Sequence, residues 1–145
     1  MGLRLVLDTD VVIAALRSPG GASAALLLAA DAGRVGLLAS VPLFLEYEAV
    51  ARRAEHRLAA GLDEAALAIV FDRLVELVEP VETWFLWRPQ LRDPADELVL
   101  EAAVNGRADA LVTFNRRDFR PAADHFGLAL LLPGEALGRV RGGKA

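Results

Sequence analysis

The chain has 145 residues, 54% of them hydrophobic, with no cysteine and a formal net charge of −4 at pH 7. That length and apolar content suit one compact domain with a sizeable core, and the lack of cysteine removes disulfides and thiolate metal sites. No apolar run approaches the roughly 18 residues of a membrane span, since Asp8, Asp10, Asp31 and Arg34 interrupt the apolar N-terminal third; with no secretory-signal pattern at its start, a soluble cytoplasmic protein without a membrane role is expected.

Leu3 to Leu7 is an apolar run with one arginine, the pattern of a strand covered on both faces. The residues after it turn into a first helix, which Ser18-Pro19-Gly20-Gly21 ends. Ala22 to Ala32 reads as a helix closed by Gly33. Gly36 to Ser40 reads as a second strand, and Val41-Pro42 opens a helix that continues to about Ala60 with Pro42 in its first turn. Asp63 caps a further helix through about Leu77. Val78 to Arg92 carries two prolines and both tryptophans, with a short strand expected over Glu79 to Thr83.

Asp93-Pro94-Ala95-Asp96 is a helix start, with Asp93 at N-cap, Pro94 at N1 and an acid at N3. That helix should end at Asn105-Gly106. Ala108 to Thr113 and Leu128 to Leu132 read as two more buried strands, separated by a turn or short helix. Residues 1–140 are expected to form one domain and residues 141–145 a flexible tail. Strands alternating with helices imply an α/β fold, a parallel sheet with helices on both faces joined by right-handed crossovers. Such sheets bind ligands beyond the carboxyl ends of their strands.

Acids collect at those ends. Asp8/Asp10, Glu46/Glu48, Asp93/Asp96 and Asp118 each fall at an expected strand end or helix start, so all can face one edge. Converging carboxylates without an interleaved Lys or Arg raise one another's pKa. A hard divalent cation resolves the conflict, through one or two carboxylates, waters and substrate phosphates, and such a site suits phosphodiester hydrolysis. Neither His56 nor His125 has a zinc-ligand spacing. Asp93 is explained as a cap, and Asp96 and Asp118 have competing readings as a first-turn acid and a turn residue. Glu46 shares its helix row with Leu43 and Val50, which favours it over Glu48 as the inward acid. Asp8 is hard to place in an apolar run without a task.

Read together, VLDTDVVIAAL, SVPLFLEYEAV, DPADELVLEAAVNGRADALVTFNRRDF and the closing LLLP resemble the PIN-domain family of nucleases, most of all the toxins of bacterial toxin-antitoxin pairs. The resemblance runs through nearly the whole chain in matching order. It implies a Rossmann-like three-layer α/β/α sandwich with a mostly parallel sheet of about five strands, an acidic Mg²⁺ or Mn²⁺ site, cleavage of RNA and a cognate antitoxin. Dimers are common among such toxins. Carried over by position, Asp8, Glu46, Asp96 and Asp118 are the catalytic and metal-binding acids. Thr113 and Asn115 match a T-x-N element, and Thr9, Asp10 and Asp93 join them in support. Asp10 departs from the asparagine usual two places after the first acid.

The resemblance also recasts the charge. With those four acids set aside, the remaining acids and bases balance at 16 each. All but one of the bases are arginine, and Arg53, Arg57, Arg116, Arg117 and Arg120 become candidate contacts for RNA phosphates. Two rival readings stand beside this one. Asp8-Thr9-Asp10-Val11-Val12 also resembles the start of haloacid dehalogenase-like phosphatases, with Asp8 as nucleophile. That chemistry needs a lysine inside the fold, and the only lysine is Lys144, in the tail. The other rival is a non-catalytic PIN-like module that binds a protein partner.

Overall fold

The computed structural model describes residues 2–84 and 91–142. The apolar runs become strands Arg4–Leu7 (β1), Gly36–Ala39 (β2), Val78–Pro80 (β3), Ala110–Val112 (β4) and Ala129–Leu131 (β5). They form one parallel sheet in the order β3-β2-β1-β4-β5. Around it, among the described residues, run helices Thr9–Arg17 (α1), Ala22–Asp31 (α2), Val41–Ala51 (α3), Ala54–Ala60 (α4), Glu64–Leu77 (α5), Pro94–Asn105 (α6), Arg116–Phe126 (α7) and Pro133–Arg141 (α8). None is long and apolar enough by itself to cross a membrane.

The central strands explain the run-like hydrophobicity. Leu5, Val6, Leu37, Leu38, Leu111 and Val112 are all buried, because helices cover both faces of the sheet. Val11 and Val12 of α1, Leu26 of α2, Leu43 of α3, Val99 of α6 and Phe119 of α7 complete the core. Burying each such side chain contributes about 1.5–3 kcal/mol. The register pairs Leu7 with Val112, and the Asp8 N–H donates to the Val112 carbonyl at 2.8 Å, so β1 and β4 reach their carboxyl ends side by side.

That pairing sets the location of the site. The chain builds β1, β2 and β3 toward one edge, then crosses back to place β4 and β5 on the other side of β1. The strand order therefore reverses between β1 and β4, the position at which open α/β sheets hold their ligands. Helices in such crossovers run antiparallel to the strands, so the N-termini of α1, α3, α6 and α7 gather at this edge. Asp8, Ser40 and Asp93 cap the first three, accepting from the N–H groups of Thr9, Leu43 and Ala95.

Several elements differ from expectation. The helix expected from Val41 to about Ala60 breaks after Ala51, at Arg52 and Arg53, and restarts as α4. No glycine or proline marks the break. Tertiary packing overrides helix propensity there, as α3 lies against α1 and α6 while α4 turns to cover α1. β3 begins one residue before the expected strand and is shorter, while residues 85–90 lie outside the described residues. The connection between β4 and β5 is a full helix of 11 residues with Pro121 inside it. α8 was not assigned from sequence; it extends to Arg141 with Gly142 as its cap, and residues 143–145, Lys144 included, lie outside the described residues.

Candidate active site

Asp8 leaves β1 at the reversal point and caps α1. Its carboxylate is buried, only 7% exposed, and accepts from the Thr9 N–H at 2.7 Å and the Thr113 hydroxyl at 2.7 Å. The Thr113 hydroxyl also accepts from the Asn115 N–H at 2.9 Å, and the Asn115 side-chain amide donates to Asp118 at 2.5 Å. A continuous hydrogen-bonded chain thus joins Asp8 to Asp118 across the end of β4. The T-x-N element supplies both of its links.

Burial raises the Asp8 carboxyl to about 7, and the neighbouring Asp10 charge adds to the rise, although the bonds from Thr113 and Thr9 pull the other way. Asp10 is raised too, chiefly by burial. One Asp10 oxygen accepts from the Phe114 N–H at 3.3 Å, and the other is buried without a hydrogen-bond partner.

Asp96 enters from the first turn of α6. Its carboxyl is also raised to about 7, by burial first and then by the charges of Asp8, Asp93, Asp118 and Glu97. Asp93, Asp96 and Asp118 line one cleft of about 690 Å³ together with Leu91, Arg92 and Arg117. The acids therefore converge from α1, α6 and α7. Among the described residues none of Asp8, Asp10, Asp96 and Asp118 forms an ion pair.

Glu46 lies on α3, half-buried, one residue before Tyr47. The buried Tyr47 hydroxyl donates to the Leu7 carbonyl at 2.5 Å, which ties this turn of α3 to the end of β1. The charges that raise Asp96 are those of Asp8, Asp93, Asp118 and Glu97, and Glu46 is not one of them. The arginines divide. Arg116 is held by Glu135 at 3.0 Å and Arg57 by Glu64 at 3.5 Å, whereas Arg117 borders the acidic cleft and Arg53 and Arg120 are exposed.

Sequence reasoning passed over Glu97. It is buried beside Asp96, and its carboxylate accepts from the Leu91 N–H at 2.9 Å, fixing the segment that borders the cleft. Glu101, one turn on, is buried as well. Two acids at i and i+4 within a row of alanine and leucine were the signal.

A family model of the PIN domain matches residues 4–117. The chain belongs to the PIN-domain family. PIN domains are typically nucleases, and the match takes in β1 to β4 with Asp8, Glu46 and Asp96, while Asp118 falls one residue beyond it. No match to the chain was found among curated proteins. Membership removes the phosphatase alternative for Asp8.

The donor set of this PIN domain fits a hard cation. Among the described residues these carboxylates have no ion-pair partner, and clustered oxygen donors of this kind suit a hard divalent cation. As placed, no three acidic or histidine side chains among the described residues close on one ion. The arrangement therefore suits an ion that keeps several waters and takes one or two carboxylates directly.

Proposed function

We propose that this PIN domain is a Mg²⁺- or Mn²⁺-dependent endoribonuclease that hydrolyses RNA phosphodiester bonds, and that it serves as the toxin of a toxin-antitoxin pair in the cytoplasm. The observation that carries the reading is the convergence of Asp8, Asp96 and Asp118 at the strand-order reversal, with two of these carboxyls raised to about 7 and, among the described residues, no ion pair to relieve them. Asp8, Asp96 and Asp118, with Glu46 of α3 as the fourth acid, are the residues that would hold the cation, directly or through water. A bound divalent ion acidifies water and offsets charge at a scissile phosphate. Thr113 orients the Asp8 carboxylate, Asn115 orients Asp118, and the N-termini of α1 and α6 favour the ionised forms of the acids beside them. Arg117 stands where an RNA phosphate would border the cleft, with Arg53 and Arg120 as more distant phosphate contacts.

The toxin assignment draws support from exposed apolar side chains such as Val41, Leu45 and Trp84, which are candidates for an antitoxin or for a second copy in a homodimer. The decisive experiment is cleavage of several single-stranded RNAs in Mn²⁺, with EDTA and Asp8→Asn as controls. Full Mn²⁺-dependent cleavage by Asp8→Asn would overturn the assignment of Asp8. The rival reading, a module that only binds a partner, is favoured by the spacing that keeps three acids from closing on one ion. It predicts no cleavage by the wild type together with tight binding to a protein encoded next to it.

A further inference from the structure

Next to Asp10 lies a second cavity of about 570 Å³ between α1, α3, α4 and the loop after β4. Its volume is in the range of small-ligand sites. Its walls are mostly apolar, from Ile13, Val50 and Phe114, but Thr9, Asp10 and His56 also line it. The Thr9 hydroxyl, one Asp10 carboxylate oxygen and His56 Nδ1 are all buried without a hydrogen-bond partner. Such groups are costly to leave unsatisfied, and polar atoms of a ligand bound among these side chains would supply the missing partners. Phe114 is 53% exposed although it sits between two buried anchors, since its own N–H binds Asp10 and the preceding Thr113 is buried. An aromatic ring held out at a cavity mouth offers a stacking platform.

We infer that this cavity is a nucleobase subsite, which takes one unstacked base of the RNA next to the scissile phosphate, stacks it on Phe114 and reads its edge with Asp10, Thr9 and His56. The inference rests on the ribonuclease reading above. Single-stranded RNA is read in this manner, by aromatic stacking and hydrogen bonds to base edges. Asp10 interacts with Asp8 and also lines the cavity, so a base bound there lies on the Asp8 side of the acidic site. The carboxylate oxygen accepts from an exocyclic amine, which adenine, cytosine and guanine carry and uracil, with carbonyl oxygens on either side of its N3–H, does not. Arg17, on the rim, supplies a cation for a neighbouring phosphate.

Two measurements on the full chain test this. Binding of short single-stranded RNAs, varied one position at a time among the four bases, is followed by fluorescence anisotropy in EDTA, and cut ends in a random RNA pool are sequenced after incubation with Mn²⁺. The wild type should prefer an amine-bearing base at one fixed position. Phe114→Ala should weaken binding roughly 5- to 150-fold, the loss of one base-aromatic stack, and His56→Ala should flatten the base preference. Because Phe114 is exposed, its alanine variant keeps the fold, which circular dichroism checks. Cutting without base preference, or unchanged affinity and preference in both variants, overturns the subsite, leaves the nuclease reading intact and gives the cavity to a protein segment. RNA binding that depends on Phe114, with no Mn²⁺-dependent cutting, supports the subsite and overturns the nuclease reading.

Discussion

Replacing Asp8 by asparagine should stabilise this PIN domain in the absence of metal and do so only above acidic pH. A carboxyl raised from 3.8 to about 7 is more easily ionised in the unfolded chain than in the folded one. Below the ordinary value both states hold the proton and the term vanishes. As pH rises from about 4 to 7 the unfolded chain releases it first, so folding becomes progressively less favourable. The full cost, on the order of 4 kcal/mol at 1.36 kcal/mol per pKa unit, applies above about 7. Part of it belongs to the Asp8-Asp10 pair jointly, which leaves about 2–4 kcal/mol for Asp8. Asparagine keeps the cap on the Thr9 N–H but loses the bond from the Thr113 hydroxyl, at about 1 kcal/mol. The net gain of about 1–3 kcal/mol at pH 8 corresponds to a melting temperature higher by about 3 to 9 °C. Thermal unfolding of both proteins in EDTA between about pH 4.5 and about pH 8 gives the difference, to which relief of Asp96 from the Asp8 charge adds in the same direction. Added Mn²⁺ should reverse the order at pH 8, since it stabilises the wild type by mass action and the variant hardly at all. A difference that stays flat across this range, or grows toward acid, would refute the raised Asp8 carboxyl on which the site argument depends.

Thr113→Val removes the hydroxyl that lowers the Asp8 pKa and strands the Asn115 N–H; Mn²⁺ affinity measured by calorimetry should fall about 10- to 100-fold, as for other groups that orient a metal-binding carboxylate. Tyr47→Phe leaves the Leu7 carbonyl without its buried donor, so the urea midpoint should drop by about 1–2 kcal/mol with an unchanged slope. Arg117→Ala, at the rim of the acidic cleft, should weaken RNA binding about equally for all sequences and reduce the slope of log affinity against log salt by about 0.7.

Much of the frame was legible because its signals are local. The D-P-A-D start put Asp93 at the cap of α6 and Asp96 on its first turn, and the continuous apolar runs at Leu5, Leu37 and Leu111 marked central strands covered on both faces. Asp8 was legible for the opposite reason: a charge inside such a run has no structural excuse. The break between α3 and α4 carries no sequence mark, since it arises from where α1 and α6 lie and not from Arg52 or Arg53 themselves. α7 was obscured by Pro121, which ordinarily breaks a helix interior; Phe119, Ala122 and Ala123 on its buried face outweigh the lost bond. Whether an acid faces the cleft depends on packing across many residues, as the links from Asp8 through Thr113 and Asn115 to Asp118 show. The pairing of His56 with Thr9 and Asp10 in one cavity was invisible for the same reason, because α4 only reaches α1 after the break.

Asp10 weighs on the Asp8 carboxyl and also lines the neighbouring cavity, so Asp10→Asn separates two consequences of an acid at this position. The asparagine oxygen can keep the bond from the Phe114 N–H, which leaves its amide nitrogen to face the cavity in place of an acceptor. Removing the charge takes away the largest like-charge contribution to the rise of Asp8. The acid limb of the kcat/KM profile, which reports ionisation of essential groups in the free enzyme, should therefore move to lower pH, and metal-free stability at pH 8 should rise. In the cavity, a donor now stands where an acceptor stood, so preference at the subsite should turn from amine-bearing bases toward uracil, whose edge offers carbonyl oxygens. A moved pH limb with unchanged base preference would confine Asp10 to tuning Asp8. Changed preference with a fixed limb would make it a reader of the base alone. If neither responds, the carboxylate serves only to hold the Phe114 loop, and the acid at this position has no part in either metal binding or RNA choice.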